Sequence, residues 1–474
     1  MSTPEQQRID QVVAQAAATA RQWAQSSMGT RAALLDGLAE GLENHQAALV
    51  SLADEETHLG PARLNGEVAR TAFQLRGFAA QARAGVPLAC VEDAAIDGAP
   101  PKGRPALTRV SEPLGPVAMF SASNFPFAFS VLGGDTASAL AAGCPVVVKA
   151  HSGHPRLSRA VHEIAQGVIA AQGLPLGLLG LVEGASRAAG VHLVEHPAIA
   201  AVAFTGSYQG GSALWRAANE RARPIPFFGE LGSINPLVAL PGILQREGAA
   251  LATLLAGSIT QGCGQFCTSP GVIILLEHPA SDRFIEQLAC ALQPLTTHAM
   301  LTEAMRKGFE HGLHNLEQAS AARPLLEPHA GGEGPAPRLF EIDALAFIND
   351  SALREEVFGP VAVVIKACDV AQANAVLQAI GGTLTATLWG FEQADEPARS
   401  LYRTARTIAG RVLFRGVPTG VAVTHAQQHG GPWPASTQPH TTSVGYAALQ
   451  RFLRPVALQD APAWALQPYQ ERSQ

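Results

Sequence analysis

Two short segments carry the residue types that could do covalent chemistry. Cys267 lies in Gly257-Ser-Ile-Thr-Gln-Gly-Cys-Gly-Gln-Phe-Cys-Thr-Ser-Pro-Gly271, and Glu230 lies in Phe227-Phe-Gly-Glu-Leu-Gly232. A thiolate attacks carbonyl carbons, and a carboxylate can activate the water that frees the acyl group afterwards. The glycines around both residues thin the backbone, as a narrow tunnel to a nucleophile requires. Gly264, Gln265, Thr268 and Ser269 around Cys267 are small or polar and build no apolar core. Cys263, one helical turn earlier, is the weaker candidate. Asn124, in Ser123-Asn-Phe-Pro-Phe127, follows an apolar strand. Its amide would donate to a developing oxyanion, or would close a local turn before Pro126.

The elements that must position these residues alternate along the chain. Helical spacing of leucines predicts helices over Arg31 to Glu56 and over Leu64 to Arg83. Leu107 to Val110 and Gly115 to Ser121 read as strands. From Thr136 to Arg221 helices alternate with short apolar strands at Pro145–Lys149, Leu178–Val182 and Ala201–Phe204. A second alternating set follows Pro236. It has helices over Arg246–Thr260, Ser281–Leu292 and Val370–Ile380, and strands over Val272–Leu276, Val361–Lys366 and Thr385–Trp389. Such alternation predicts parallel sheets covered on both faces. The fold class is therefore α/β with two sheet domains, and the seam falls near Leu231 to Pro236. Glu230 sits at that seam, where ligand sites favour domain interfaces. Glu327 to Pro337 is rich in Gly and Pro and reads as a surface loop.

Composition narrows the function classes. The 474 residues are 47% hydrophobic and 15% charged, with net charge −6. That describes a well-buried chain of two or three domains. It offers no basic footprint for nucleic acid. No apolar run is long enough to cross a membrane. The six cysteines are scattered without a CxxC pair, so no structural zinc or other metal is expected, and reducing cytoplasm fits. Neither GxGxxG nor GxxxxGK[ST] occurs. His192-Leu-Val-Glu-His196 formally matches a zinc-protease signature, but Pro197 ends the helix there and a helix C-terminus explains the histidines. Phe204-Thr-Gly-Ser-Tyr-Gln-Gly-Gly211 joins a strand to a helix. It could admit a pyrophosphate to helix-terminal N–H groups, or be a tight turn with nothing bound. Lys149 ends a strand, where it could reach a ribose or face solvent.

Taken together, these segments resemble the aldehyde dehydrogenase superfamily along nearly the whole chain. The pieces are Ser123–Phe127, Val147-Val-Lys149, Phe204–Ser207 with Gly211, Phe228–Gly232, Gly264–Thr268 and Glu355-Glu-Val-Phe-Gly-Pro360. Gly133–His151, Gly229–Pro236 and His429-Gly-Gly-Pro-Trp-Pro434 look like the α-ketoglutarate semialdehyde (2,5-dioxopentanoate) and NADP-dependent fatty-aldehyde branches. The resemblance implies two Rossmann-like domains plus a small β oligomerisation arm. Residues 1–232 would bind cofactor, with the arm's hairpin near 105–117. Residues 233–425 would form the catalytic domain, and 426–474 would return to the cofactor domain and arm, giving a homodimer or homotetramer.

It also implies roles. Cys267 would attack a small-molecule aldehyde, Asn124 and the Cys267 N–H would hold the oxyanion, and Glu230 would activate the hydrolytic water. Relatives that acylate CoA typically lack this glutamate, so a free acid is expected. Lys149, Ser152, Gly206, Ser207, Gly211, Glu356 and Phe358 would hold the dinucleotide. NAD-preferring relatives commonly carry a glutamate where this chain has Ser152. With His151, His154 and Arg156 beside it, the neutral serine implies NADP, with NAD also usable. His429 is a candidate for the mouth of the site, or a surface histidine. Arg415 stands where relatives more often have asparagine, and would bind a substrate carboxylate or pair with a surface acid. The N-terminal strand segment of longer members is short or absent, and Thr296 to Pro337 looks abbreviated. The rival functions are a medium- or long-chain fatty aldehyde dehydrogenase, a non-catalytic nucleotide-binding descendant, and a thiol hydrolase without nicotinamide.

Overall fold

The computed structural model describes residues 3–327 and 332–471. Five parallel strands form the first sheet, in the order Leu179–Val182, Val146–Lys149, Val117–Phe120, Ala201–Thr205 and Phe227–Glu230. The strands Val117–Phe120 and Val146–Lys149 are buried at every residue. Their unbroken apolar character follows from cover on both faces. Met28–Asn44, Pro61–Arg83, Gly134–Ala142 and Pro155–Ala171 close one face, and Pro4–Ala24, Arg187–Glu195 and Tyr208–Glu220 close the other.

The second sheet runs Ala322–Pro324, Arg338–Asp343, Val361–Ala367, Val272–Leu276, Pro236–Ala239, Thr383–Trp389, Ala409–Leu413. Only the first pairing is antiparallel. The expected α/β class with two parallel sheets is what the chain forms. A third sheet is antiparallel and joins Val91–Asp93, Leu107–Pro113 and Leu453–Gln459. The strand Leu107–Pro113 thus pairs with Val91–Asp93 and the C-terminal strand, while Val117–Phe120 belongs to the five-stranded sheet.

The single helix expected over Arg31–Glu56 is two, Met28–Asn44 and Gln46–Thr57, broken at His45. His45 has φ −110° and ψ 9°, and its imidazole Nδ1 lies 2.8 Å from the Gly41 carbonyl. No Gly or Pro marks that break. Helices Glu303–Gln318 and Glu396–Ile408 complete the second domain. The loop expected over Glu327–Pro337 falls in part on residues 328–331, outside the described residues. No described helix is long and apolar enough to cross a membrane.

Candidate active site

The helix Pro241–Thr260 ends in a tight turn, and the chain then runs through three left-handed residues. Gly262, Cys263 and Gly264 have φ of 57°, 59° and 66°. A Cβ at Gly264 would lie 2.2 Å from the Gly359 backbone, so only glycine lets the two loops touch here. Cys263 is turned into the core beside the second sheet, with its thiol 3.6 Å from Thr297 Oγ1. Cys267 faces the seam between the sheets and keeps partial exposure. The turn therefore separates two cysteines that a continued helix would have stacked.

Three anchors fix the nucleophile segment. Asn124 Nδ2 donates to the Gln265 carbonyl at 2.9 Å. Ser269 Oγ donates to the Gly264 carbonyl at 3.0 Å. Asn235 Nδ2 donates to the Cys267 and Ser269 carbonyls at 2.8 and 2.9 Å. Asn235 is buried with φ 44°, and its Oδ1 accepts from Ser233 Oγ, Thr385 N and Thr385 Oγ1. One side chain thus ties the seam segment to both the thiol loop and the strand Thr383–Trp389. Asn124 is buried, and one amide hydrogen remains after its bond to Gln265. Its own carbonyl accepts from Arg63 Nη2 at 2.5 Å. The Arg63 guanidinium is stacked over Phe125 and Phe266.

Glu230 ends its strand and is buried at 5% exposure. Ser443 Oγ donates to Glu230 Oε2 at 2.6 Å. His429 is not a surface residue: at 1% exposure, its Nε2 lies 3.0 Å from Glu230 Oε1 and 3.6 Å from Cys267 Sγ. Glu230 Oε1 finds no aligned donor, so the His429 approach is a close electrostatic contact more than a directed hydrogen bond. The imidazole is held through its backbone, where His429 N donates to Thr442 Oγ1 and Ser443 N donates to the His429 carbonyl.

The charges follow from this packing. Burial pushes the Cys267 thiol well above its usual range, and the Glu230 and Glu356 carboxyls push it further. Burial also raises Glu230, but His429, Ser443 and Cys267 outweigh it and hold the carboxyl below its usual range. The thiol is therefore protonated at rest, 3.6 Å from an imidazole nitrogen and with the ionised Glu230 carboxylate within 4.8 Å. That arrangement can remove the thiol proton on attack and later polarise a water at the same spot. Glu230, Cys267 and His429 also bring three metal-ligating atoms within 4.8 Å of one another.

The dinucleotide candidates come from two strand ends of the first sheet and from the loop that carries Glu356 and Phe358. Lys149, at the strand end, is buried and donates to the Ala150 and Gly184 carbonyls at 3.0 and 2.5 Å. Ser207 caps the helix Tyr208–Glu220 by accepting from Gly210 N at 3.3 Å. Gly206 N donates to the Glu230 backbone carbonyl at 3.1 Å, tying this turn to the end of the strand Phe227–Glu230. Gly211 answers a packing need: a Cβ there would lie 2.2 Å from Leu231 Cδ2. Thr205 Oγ1 is buried beside this turn without a partner, as a ligand-facing hydroxyl would be. Glu356 and Phe358 line a cavity with Ser233 and Phe266. Burial and the Glu230 charge push the Glu356 carboxyl up, while the residue's exposure lets solvent moderate the push. These groups fit a dinucleotide: a cation at a strand end, a capped helix N-terminus and a carboxylate at the far side.

The basic cluster expected around Ser152 is otherwise engaged. Arg156 pairs with Glu55 and Glu56. His154 is fully buried, between the Ala122 carbonyl and Ser158 Oγ. The His151 imidazole accepts from Gly153 N, and burial, with His154 and Lys149 nearby, pushes it down to about 3. Ser152 itself is exposed and uncharged. Away from the site, His192 and His196 face Asp10 of the first helix at 2.7 and 3.8 Å, which accounts for the zinc-like spacing. Arg415 is exposed, while Arg411, four residues earlier, points inward.

Sequence reasoning missed Asn235, Ser443, Arg63 and Arg411. Their only signals were ordinary polar residues on segments far apart in the chain.

Known proteins resemble this chain over most of its length. The aldehyde dehydrogenase family model matches residues 1–320. "Alpha-ketoglutaric semialdehyde dehydrogenase 2" of Azospirillum brasilense is 44% identical over 92% of this chain and 83% of its own. The "Alpha-ketoglutaric semialdehyde dehydrogenase" of Acinetobacter baylyi is 39% identical over 95% and 86%. A crystal structure of a Bradyrhizobium japonicum proline utilization A variant superposes with TM-score 0.80 at 25% identity, over 97% of this chain and 45% of that one. The chain belongs to the aldehyde dehydrogenase family, and it oxidises an aldehyde to the carboxylic acid with a nicotinamide dinucleotide, NAD(P).

Proposed function

We propose that the physiological aldehyde is α-ketoglutarate semialdehyde (2,5-dioxopentanoate), or a close semialdehyde, and that the product is the free acid. The observation that carries the catalytic part is His429 Nε2 lying 3.6 Å from Cys267 Sγ and 3.0 Å from Glu230 Oε1 at the seam of the two sheets. Cys267 attacks the aldehyde carbon as His429 takes the thiol proton. The free Asn124 amide hydrogen and the Cys267 N–H stabilise the oxyanion. When bound, the nicotinamide ring supplies the hydride acceptor. Glu230, held by Ser443, then orients and deprotonates the water that releases the acid. Semialdehyde as substrate is favoured by the names of the two similar relatives and by inward-facing arginines near the thiol. A long-chain aldehyde would ask for an apolar tunnel in their place.

In this reading Lys149 and Ser152 face the adenosine ribose, Gly206, Ser207 and Gly211 form the pyrophosphate turn, and Glu356 and Phe358 hold the nicotinamide ribose. NADP is used at least as well as NAD, because Ser152 puts no carboxylate against a 2′-phosphate. The argument from its basic neighbours falls away, since those are paired or buried. Residues 1–232, 233–425 and 426–474 serve as cofactor domain, catalytic domain and returning segment. The three-stranded sheet has two open edges, Val91–Asp93 and Leu453–Gln459, and serves as an arm for a homodimer or homotetramer in the cytoplasm. The deciding experiment follows reduced-nicotinamide absorbance with purified protein, semialdehydes and medium-chain aldehydes, and each cofactor. Highest kcat/KM for 2,5-dioxopentanoate with NADP at least equal to NAD supports the reading. Preference for a long-chain aldehyde, or strong NAD preference, overturns the respective part.

A further inference from the structure

Two arginines from different domains meet at one short loop beside the nucleophile. Arg70, on the helix Pro61–Arg83, donates from Nη1 to the Val421 carbonyl at 2.6 Å. Arg411, on the strand Ala409–Leu413, donates from Nη1 to the Gly420 carbonyl and from Nη2 to the Pro418 carbonyl, both at 2.6 Å. Because Gly420 and Val421 are consecutive, the two guanidiniums hold neighbouring carbonyls of one loop. The same loop leads on to His429, which touches Cys267. Both arginines sit close enough to Cys267 for a thiolate there to favour their charged forms.

Their partners do not satisfy them. Each keeps a buried Nε–H with no acceptor. Arg411 has no carboxylate within ion-pair distance among the described residues, and neither has Arg70. Glu67, one turn before Arg70, is the acid that opposes Arg70 and Arg63, but its Oε1 accepts from Phe127 N and Ala128 N and its Oε2 is buried without a partner, so it forms no ion pair with either arginine. Partly buried guanidiniums held by carbonyls alone, each with an open donor, are costly unless an anion completes them. The neutral carbonyls fix their orientation and leave the charge free, which is what a carboxylate-reading pair needs.

The geometry points to Arg70 and Arg411 as the subsite that holds the carboxylate end of the substrate, with the aldehyde end on Cys267. This rests on the aldehyde-oxidising function proposed above and adds the residues that select an acidic semialdehyde over a neutral aldehyde. It also assigns to Arg411 the part that the sequence alone suggested for Arg415.

The test compares chain-matched pairs, an acidic semialdehyde against the neutral aldehyde of equal length, in the wild type and in Arg411→Met, Arg411→Lys and Arg70→Met. Loss of a charge-assisted bond predicts that the ratio of kcat/KM, acidic over neutral, falls roughly 10- to 100-fold in either Met variant. Arg411→Lys should recover part of it. A second readout is iodoacetamide labelling of Cys267: 2-oxoglutarate should protect the wild type and fail to protect the Met variants. A purely structural role would lower both substrates together and leave the ratio and the protection unchanged, which overturns the subsite. A wild type that oxidises neither aldehyde would instead overturn the function on which the subsite rests.

Discussion

Replacing His429 with Gln isolates the step that makes the nucleophile. Gln keeps a polar side chain of similar reach in a site where the backbone is already fixed by Thr442 and Ser443, but it cannot accept a proton. A thiol near 9 is about 1% ionised at pH 7, and each further unit upward removes another factor of ten. Burial with Glu230 and Glu356 nearby puts Cys267 well above that range, so free thiolate is scarce at neutral pH. The sign is fixed: a raised thiol pKa means thiolate is lost as pH falls, and reactivity climbs as pH rises. With Nε2 at 3.6 Å from the sulfur, proton transfer to His429 supplies what pre-ionisation does not, a contribution of about 10²- to 10⁴-fold. The assay is the rate of Cys267 alkylation by iodoacetamide from pH 6 to 10, beside kcat/KM for aldehyde. His429→Gln should alkylate about 100-fold more slowly at pH 7, and the gap should close toward the alkaline end. A folded variant that alkylates at the wild-type rate at pH 7 would refute the proton-acceptor role.

Three further outcomes follow from single contacts. Asn235→Ala strips the Cys267 and Ser269 carbonyls and Thr385 N of partners; at about 1–3 kcal/mol per unsatisfied buried group, thermal melting should show a clear fall in Tm together with lost activity. If Ser152 faces the adenosine ribose as proposed, Ser152→Glu sets a carboxylate against the 2′-phosphate, and KM for NADP should rise at least about tenfold while that for NAD changes little; steady-state kinetics with both cofactors checks it. Zn²⁺ takes thiolate, imidazole and carboxylate ligands tetrahedrally, and Sγ, Nε2 and Oε1 already cluster within 4.8 Å. Added zinc should inhibit, a chelator should restore activity, and Co²⁺ in its place should give a thiolate-to-metal absorption band that disappears in Cys267→Ser.

Much of this was legible in the sequence because the carrying signals are local. Apolar runs such as Val146–Val148 and Val272–Leu276 are buried strands of parallel sheets, and the alternation around them gave the two-sheet class. Cys267 and Glu230 stood out by residue type and glycine context, and they do face each other across the seam. What stayed hidden depends on long-range placement. His429 reads as a residue of the site's mouth or of the surface, and only the contacts of Thr442 and Ser443 show it buried against Glu230. Asn235 needs a left-handed backbone to reach three carbonyls at once. Arg411 and Arg415 differ by one turn of loop, and only the path through Pro418 and Gly420 shows which faces inward. The basic neighbours of Ser152 looked available because their acid and core partners, Glu55, Glu56 and Ala122, are distant in sequence. The break at His45 carries no Gly or Pro, so leucine periodicity ran straight through it.

The most direct test of the whole account is to stall the acyl-enzyme. Glu230→Gln, mixed with 2,5-dioxopentanoate and NADP, should release one burst of reduced cofactor per site and then stop. Mass spectrometry should find the acyl increment on the peptide that contains Cys267. Steady turnover in that variant, or a burst with no added mass on that peptide, would contradict a cysteine-bound intermediate released by Glu230.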